Sequence, residues 1–466
     1  MRLPFATNSY THRSLPLSAQ RMINVYVEPQ PQDAKARLPI LPAPGLRSFA
    51  TLAAGPCRGL HVMGTDLFAV AGDRVFRVRV DGVVTNLGAI PAGGEVSLDS
   101  NGDKLAIVVP ETAECYVVDR ATGSITLVTD ADFDGAASVC VIDGYFIFGK
   151  PNTGEFFLSA INDPLSFNAL DFATAEGSPD NLLTVARVGR DLWLFGERST
   201  EIWSNTGATD FPFQREAGGY IARGTAARFS VASRLGGPLW LGDDRVAYTA
   251  SGTVPQRLST SAIEQAWAGY TRVDDAVGWV VELEGAAFYV LTFPTAGDTW
   301  VCNLTAGASW HERESEGLGI WRATRGVPFG GGVIAGDTVT GDLWRVDPTY
   351  ALEGTEQIVR TATGTTFHAE ARKVFMSRFA AEFSAGQGLV TGQGSDPTAW
   401  LSWSDDGGHT FGEQIAAPLG KIGEYRRLVE WRRLGSARER VFRLQWSDPI
   451  YTTIAAVNVE AEAGSD

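Results

Sequence analysis

The place in this chain where residue types and spacing most resemble a metal site is Asp130-Ala131-Asp132-Phe133-Asp134-Gly135. Carboxylates alternate along it and glycine stands sixth, as at the start of an EF-hand calcium loop. The twelfth position, where a bidentate glutamate completes the calcium shell, is Val141. Asp and Gly are also ordinary turn residues, so the segment reads as a turn between strands and no metal is assigned to it.

A second candidate, Ser404-Asp405-Asp406-Gly407-Gly408-His409-Thr410-Phe411, fits the Asp-box pattern S-x-D-x-G-x-T-F of sialidase-like propellers. In that pattern the aspartate accepts backbone N–H groups across a hairpin and the aromatic packs beneath it. Ser404, Asp406, Gly408 and Phe411 are therefore expected to fold a turn and to do no chemistry. A glycosidase needs two carboxylates at a defined separation, which one sequence does not display. The histidines at 12, 61, 311, 368 and 409 are scattered, and His311-Glu312-Arg313-Glu314-Ser315 fails the H-E-x-x-H zinc pattern at its last position. Neither G-x-S-x-G nor a Walker A sequence occurs. Asn303-Leu304-Thr305 is a glycosylation sequon by form alone. No catalytic residue, cofactor-binding residue or metal ligand is assigned.

Charge is more informative. The 466 residues carry 39 basic and 54 acidic side chains, a formal net charge of −15. Non-specific nucleic-acid binding depends on Lys and Arg neutralising phosphates, so a chain this acidic should repel DNA. Between Lys421 and Arg443 the balance reverses, with eight basic residues against Glu424, Glu430 and Glu439. Such a stretch reads as a solvated strand face with weak local ion pairs. It also reads as a contact for an acidic neighbour, most simply another copy of the chain. On the second reading Arg426, Arg427, Arg432 and Arg433 are the candidate contact residues.

The elements that must position these residues are strands. Phe76-Arg77-Val78-Arg79-Val80 and Val441-Phe442-Arg443-Leu444-Gln445-Trp446 alternate with period two, and helical periodicity is confined to Ser261–Ala268. The chain is all-β. A turn signal recurs at Gly64-Thr65-Asp66, Asn101-Gly102-Asp103, Asp143-Gly144, Gly189-Arg190-Asp191, Gly236-Gly237, Glu284-Gly285 and Gly336-Asp337, at intervals of about 38 to 51 residues, the length of a four-stranded propeller blade. Apolar strands such as Leu67-Phe68-Ala69-Val70, Tyr145-Phe146-Ile147-Phe148 and Leu192-Trp193-Leu194-Phe195 follow several of these turns.

Residues 56–364 thus read as a β-propeller of seven blades, with six as the alternative count. Residues 1–55, with Pro29, Pro31, Pro39, Pro42 and Pro44, read as an extended arm. Residues 365–466 read as a further β domain, completed by that arm and interrupted by a mobile loop at Gly386–Gly394. No apolar run reaches the ~20 residues of a membrane-crossing helix. The N-terminal residues have no apolar segment of a secretory signal. Cys57, Cys115, Cys140 and Cys302 lack C-x-x-C spacing and fit buried thiols in a chain folded in a reducing cytoplasm.

An ordered set of stretches resembles the packaged-DNA stabilisation, or tail nozzle (tail hub), proteins of short-tailed bacteriophages. It includes Gln20-Arg21-Met22-Ile23-Asn24-Val25-Tyr26-Val27-Glu28, Ala43-Pro44-Gly45-Leu46 and Gly55-Pro56-Cys57-Arg58-Gly59-Leu60. Further on come Asp171-Phe172-Ala173-Thr174-Ala175-Glu176-Gly177-Ser178-Pro179-Asp180 and Leu192-Trp193-Leu194-Phe195-Gly196-Glu197-Arg198-Ser199-Thr200-Glu201-Ile202-Trp203. Gly420-Lys421-Ile422-Gly423-Glu424-Tyr425 and Trp431-Arg432-Arg433-Leu434-Gly435 complete the set; Val27 departs from the proline expected there.

The resemblance implies a non-enzymatic virion tail component, made in the host bacterial cytoplasm. It implies a homohexameric ring below the portal and its head-to-tail adaptor, retaining packaged DNA and forming the ejection channel. The partners implied are other copies of the chain, the adaptor, tail fibre, spike or needle proteins, and duplex DNA passing without sequence recognition; no cofactor and no membrane insertion are implied. The alternative reading is a propeller glycosidase or carbohydrate-binding protein acting on host-surface polysaccharide.

Overall fold

The structure is a computed structural model that describes residues 2–3, 5–369 and 372–464. Its strands are apolar at nearly every position where they lie deepest. Asp66–Ala71 and Lys104–Val109 are buried at every residue after the first. A strand needs that pattern when both faces of its sheet are covered. Leu67, Ala69 and Ala71 enter a core shared with Ile334 and Leu343 of the last sheet. Phe68 and Val70 enter one shared with Ile107 and Val109 of the next sheet. Each sheet is thus a layer between two neighbours, and no blade buries its apolar faces alone.

Five separate four-stranded antiparallel sheets cover residues 57–89, 97–127, 138–174, 182–221 and 232–257. Two further four-strand runs belong to larger sheets. One is residues 277–312; the other is residues 323–347 completed by Gly45–Thr51 from the N-terminal arm. The first strands of successive sheets touch in chain order, except that the turn Arg228–Ser230 bridges the fourth sheet to the fifth, and Ala323–Phe329 returns to Cys57–Met63, closing a circle. The N-terminal strand seated in the last sheet locks that closure by backbone pairing.

Most of the recurring turns join the first two strands of a sheet. Asp143, Gly144, Glu284 and Gly285 have positive φ there, between 50° and 87°, which explains the glycine at the second position. Gly336-Asp337 is the correction. The turn of the last sheet is Gly330-Gly331, and Gly336 lies inside the strand Gly332–Asp337. A Cβ on Gly336 would meet Cys57 Sγ at 2.3 Å, so that glycine serves a close approach between strands. The helix expected over Ser261–Ala268 forms over those residues.

The remaining strands make a β-sandwich. One layer has the order Val25–Val27, Ile40–Pro42, Ile454–Ala463, Val374–Phe383, Val429–Arg432. The other contains Arg360–His368, Glu439–Trp446, Thr398–Ser404 and Ile415–Pro418. Phe379, Trp431, Phe442, Leu444 and Trp446 fill the space between, and the arm adds Leu3, Phe5, Met22, Val25 and Val27. The expected architecture, a propeller with a further β domain completed by the arm, is met. Ala19–Ile23 pairs with Arg360–His368 on one side and meets Ser309–Glu312 on the other, so one ten-stranded sheet runs from propeller into sandwich. The glycine-rich segment at 386–394, expected as a mobile loop, closes through the Leu389 N–H on the Gly394 carbonyl at 2.8 Å. It lies against Ile422 and Tyr425.

Candidate assembly surface

The basic stretch divides once folded. Val429–Arg432 is the edge strand of its layer, paired with Val374–Phe383 alone. Arg426 and Arg427 stand on the turn before it, and Arg432 and Arg433 at its far end. Arg432 Nη2 lies 2.9 Å from Glu430, which also takes Arg378 at 3.1 Å. Arg427 reaches Glu424 only at 3.9 Å. Arg426 and Arg433 have no ion-pair partner among the described residues. Arg440 turns inward, holding both oxygens of Asp405 at 2.6 and 2.7 Å and lying 4.9 Å over the Trp403 ring. The Arg443 guanidinium stacks 3.4 Å over Phe411. The outward cations of the edge also oppose stray strand pairing, a service that requires no partner.

The Asp-box residues come together as a turn. Ser404 Oγ donates to Asp406 at 2.5 Å and accepts the Gly408 N–H at 2.8 Å. Thr410 donates its N–H at 2.9 Å and its hydroxyl at 2.6 Å to Asp406. Hydrogen bonds from Ser404 and Thr410 hold the Asp406 carboxyl well below the usual carboxylate range. The back of the turn packs on the arm: a Cβ on Gly408 would meet Ala19 at 2.5 Å. Phe411 lies under Arg443.

The calcium-like segment is also a turn. Asp130 accepts the Asp132 N–H at 2.9 Å, Asp134 pairs with Lys150 at 2.8 Å, and Phe133 packs on Phe148, Phe157 and Phe167. Among the described residues no group of His, Cys, Asp and Glu could hold a metal ion. All four cysteines are free and buried, and burial pushes the Cys57 thiol up to about 11.

Along the propeller axis lies a cavity of about 230 Å³, lined by Leu60, Leu98, Val185, Arg228, Val277 and Arg325 among others. Arg325 pairs with Glu95 and donates to the Arg58 carbonyl at 2.8 Å; burial pulls its guanidinium down to about 10. Arg58 donates to the carbonyls of Gly72, Pro91 and Gly94.

Buried polar contacts between distant segments escaped the sequence reading. Arg313 and Glu353 form a buried pair at 3.5 Å. Trp321 lies under Arg313, and Ser315 and Trp321 also donate to Glu353 at 2.5 and 2.9 Å. Arg313 donates to the Pro44 carbonyl as well, which ties the arm to the propeller. In the propeller, buried Glu201 accepts Gly177 N–H at 2.5 Å and Trp203 Nε1 at 2.8 Å. No local signal marks them: Arg313 stands in the polar run His311-Glu312-Arg313-Glu314-Ser315, and its burial is set by the fold.

Comparison with known proteins matches the chain in two consecutive parts. A family profile described as bacteriophage P22 Gp10, beta-propeller, matches residues 1–351, and one described as bacteriophage P22 Gp10, beta-sandwich, matches residues 360–462. Among curated proteins no relative matches. Solved structures with a similar chain trace include a streptogramin B lyase, at 10% identity and TM-score 0.44, covering 65% of this chain and 97% of that one. BamB from Moraxella catarrhalis is similar at 10% identity and TM-score 0.40, covering 71% and 98%. Likenesses this distant carry no argument about what the chain does.

Proposed function

The chain belongs to the family of bacteriophage P22 Gp10, and from that premise we propose that it is one subunit of a six-membered tail nozzle. The ring sits below the portal and its adaptor, retains packaged DNA, and leaves a channel through which DNA is ejected. The role is structural. The observation that carries this reading is the ordered match of both domains over nearly the whole chain.

Two physical features support it. The cavity at the propeller axis measures about 230 Å³ and is lined by side chains such as Leu60, Leu98, Arg228 and Arg325, a volume far too small for a duplex whose major groove alone is about 12 Å wide. A DNA channel built from this chain therefore lies between copies and requires a ring. The charge of −15 per copy would then repel phosphates and let duplex slide without sticking. We read the seven four-strand runs as seven blades.

Imaging of the purified chain added to portal–adaptor complexes tests the proposal. Closed rings at the adaptor's outer end are expected. A chain that stays monomeric beside the adaptor, or that cleaves surface glycans, would contradict it.

A further inference from the structure

A cyclic ring needs two different surfaces of one chain that fit each other. The structure offers two, differing in charge and far apart. The first is Asp163–Thr174, the outer strand of the third sheet, which pairs with Glu155–Ala160 and has no strand on its other side. Residues 161–186 contain Asp163, Asp171, Glu176 and Asp180 and no Lys or Arg. Asp180 is consumed by Arg198 and Ser199 N–H groups. Asp163, Asp171 and Glu176 have no ion-pair partner among the described residues. The same strand exposes Phe172 and Leu170, the latter 78% exposed. An edge strand that is long, apolar and unpartnered is a docking surface unless something covers it.

The second surface is the turn 420–428 with the glycine-rich segment folded on it. Val390 is 80% exposed and Tyr425 70%, with Ile422 and Leu428 beside them in the chain or across the turn. Arg426, without an ion-pair partner among the described residues, borders this apolar patch together with Arg427, which reaches Glu424 only at 3.9 Å, and Lys421, which pairs with Asp396 at 3.5 Å.

Their placement makes them head and tail. The sandwich joins the propeller at the sixth sheet, through Ala19–Ile23. The third sheet is three steps round the circle one way and four the other, on the far side of the propeller. Surfaces at opposite sides of a molecule give a head-to-tail contact, which closes into a ring when the rotation allows.

We propose that the acidic apolar strand around Leu170 and Phe172 docks on the basic apolar turn around Tyr425 and Arg426 of the next copy, forming the repeating contact of the ring. The proposal rests on the ring reading above. Apolar side chains supply the buried centre, and the opposite charges set the register and reject like surfaces.

The test is charge reversal in the full chain, read as the fraction in rings on portal–adaptor complexes. Asp163→Lys, Asp171→Lys and Glu176→Lys together, or Arg426→Glu with Arg427→Glu, should each lower ring formation roughly tenfold or more, and combining the two sets should restore most of it. Unchanged thermal unfolding shows that the substitutions left the subunits folded. Wild-type ring formation by either reversed set would overturn the contact while leaving the ring reading intact. So would loss from the arginine set alone, without rescue, which assigns those arginines to the adaptor. Failure of the wild-type chain itself to form rings would overturn both.

Discussion

Arg21 donates through Nε and Nη2 to one oxygen of Glu312, at 2.8 and 2.6 Å, across 291 residues of sequence. Ser9 reaches the other oxygen of the same carboxylate at 3.1 Å. The arm is thus bound to the last strand of the sixth propeller sheet at the point where that sheet continues into the sandwich. Glu312→Ala should lower stability by about 1–3 kcal/mol, toward the smaller value because Arg21 is nearly half exposed. Denaturant unfolding measures the loss, and faster proteolysis within residues 5–23 should accompany it. Unchanged stability and arm protection would place the pair among the surface contacts that contribute nothing.

His311 packs between the rings of Tyr26 and Phe288. Burial, reinforced by the Arg313 charge, holds its imidazole down to about 3, against 6.5 in an open chain. The unfolded chain therefore binds a proton below 6.5 that the folded chain refuses, and stability rises with pH across that interval. The contribution is complete above about pH 6.5 and is lost as pH falls toward 3, by up to about 1.4 kcal/mol per unit. His311→Phe should flatten that part of the stability profile measured between pH 4 and 7. An identical slope in the variant would mean that His311 is not held neutral by the fold.

Gly336, expected in a turn from its place beside Asp337, is instead a spacer against Cys57. Gly336→Ala places a methyl group 2.3 Å from Cys57 Sγ, and overpacking of this kind costs about 1–3 kcal/mol. The double variant with Cys57→Ala should recover part of the loss. No recovery would indicate that the strain lies in the backbone.

Asp406→Ala should lower the melting temperature and expose the arm at Pro16, since the turn leans on that residue through Gly407. Asp406→Asn, which keeps one acceptor oxygen, should do less harm. Normal melting with loss of ring formation would give the turn a direct role in assembly.

What could be read from the sequence was local. Leu67–Val70 and Tyr145–Phe148 announced strands buried on both faces, Ser261–Ala268 its helix, and Ser404–Phe411 its turn, because neighbours in sequence decide those features. The arm's division of labour was half legible. Its proline-rich extension pointed to the sandwich, but nothing in Gly45–Thr51 told of a place beside Asp342–Asp347, a pairing across about 290 residues. The basic stretch was visible as composition. Its split into an inward Arg440, a stacked Arg443 and an outward Arg426 depends on Asp405 and Phe411, which only the fold brings near. The exposure of Leu170 and Phe172 is not legible in the sequence, because an apolar residue in a strand is ordinarily buried and its exposure is a tertiary fact.

Retention of DNA by filled heads tests the central claim most directly. Heads assembled without this chain should lose nuclease-protected DNA over time, and purified chain added before the loss should arrest it. Equal retention with and without the chain would contradict its role in holding packaged DNA.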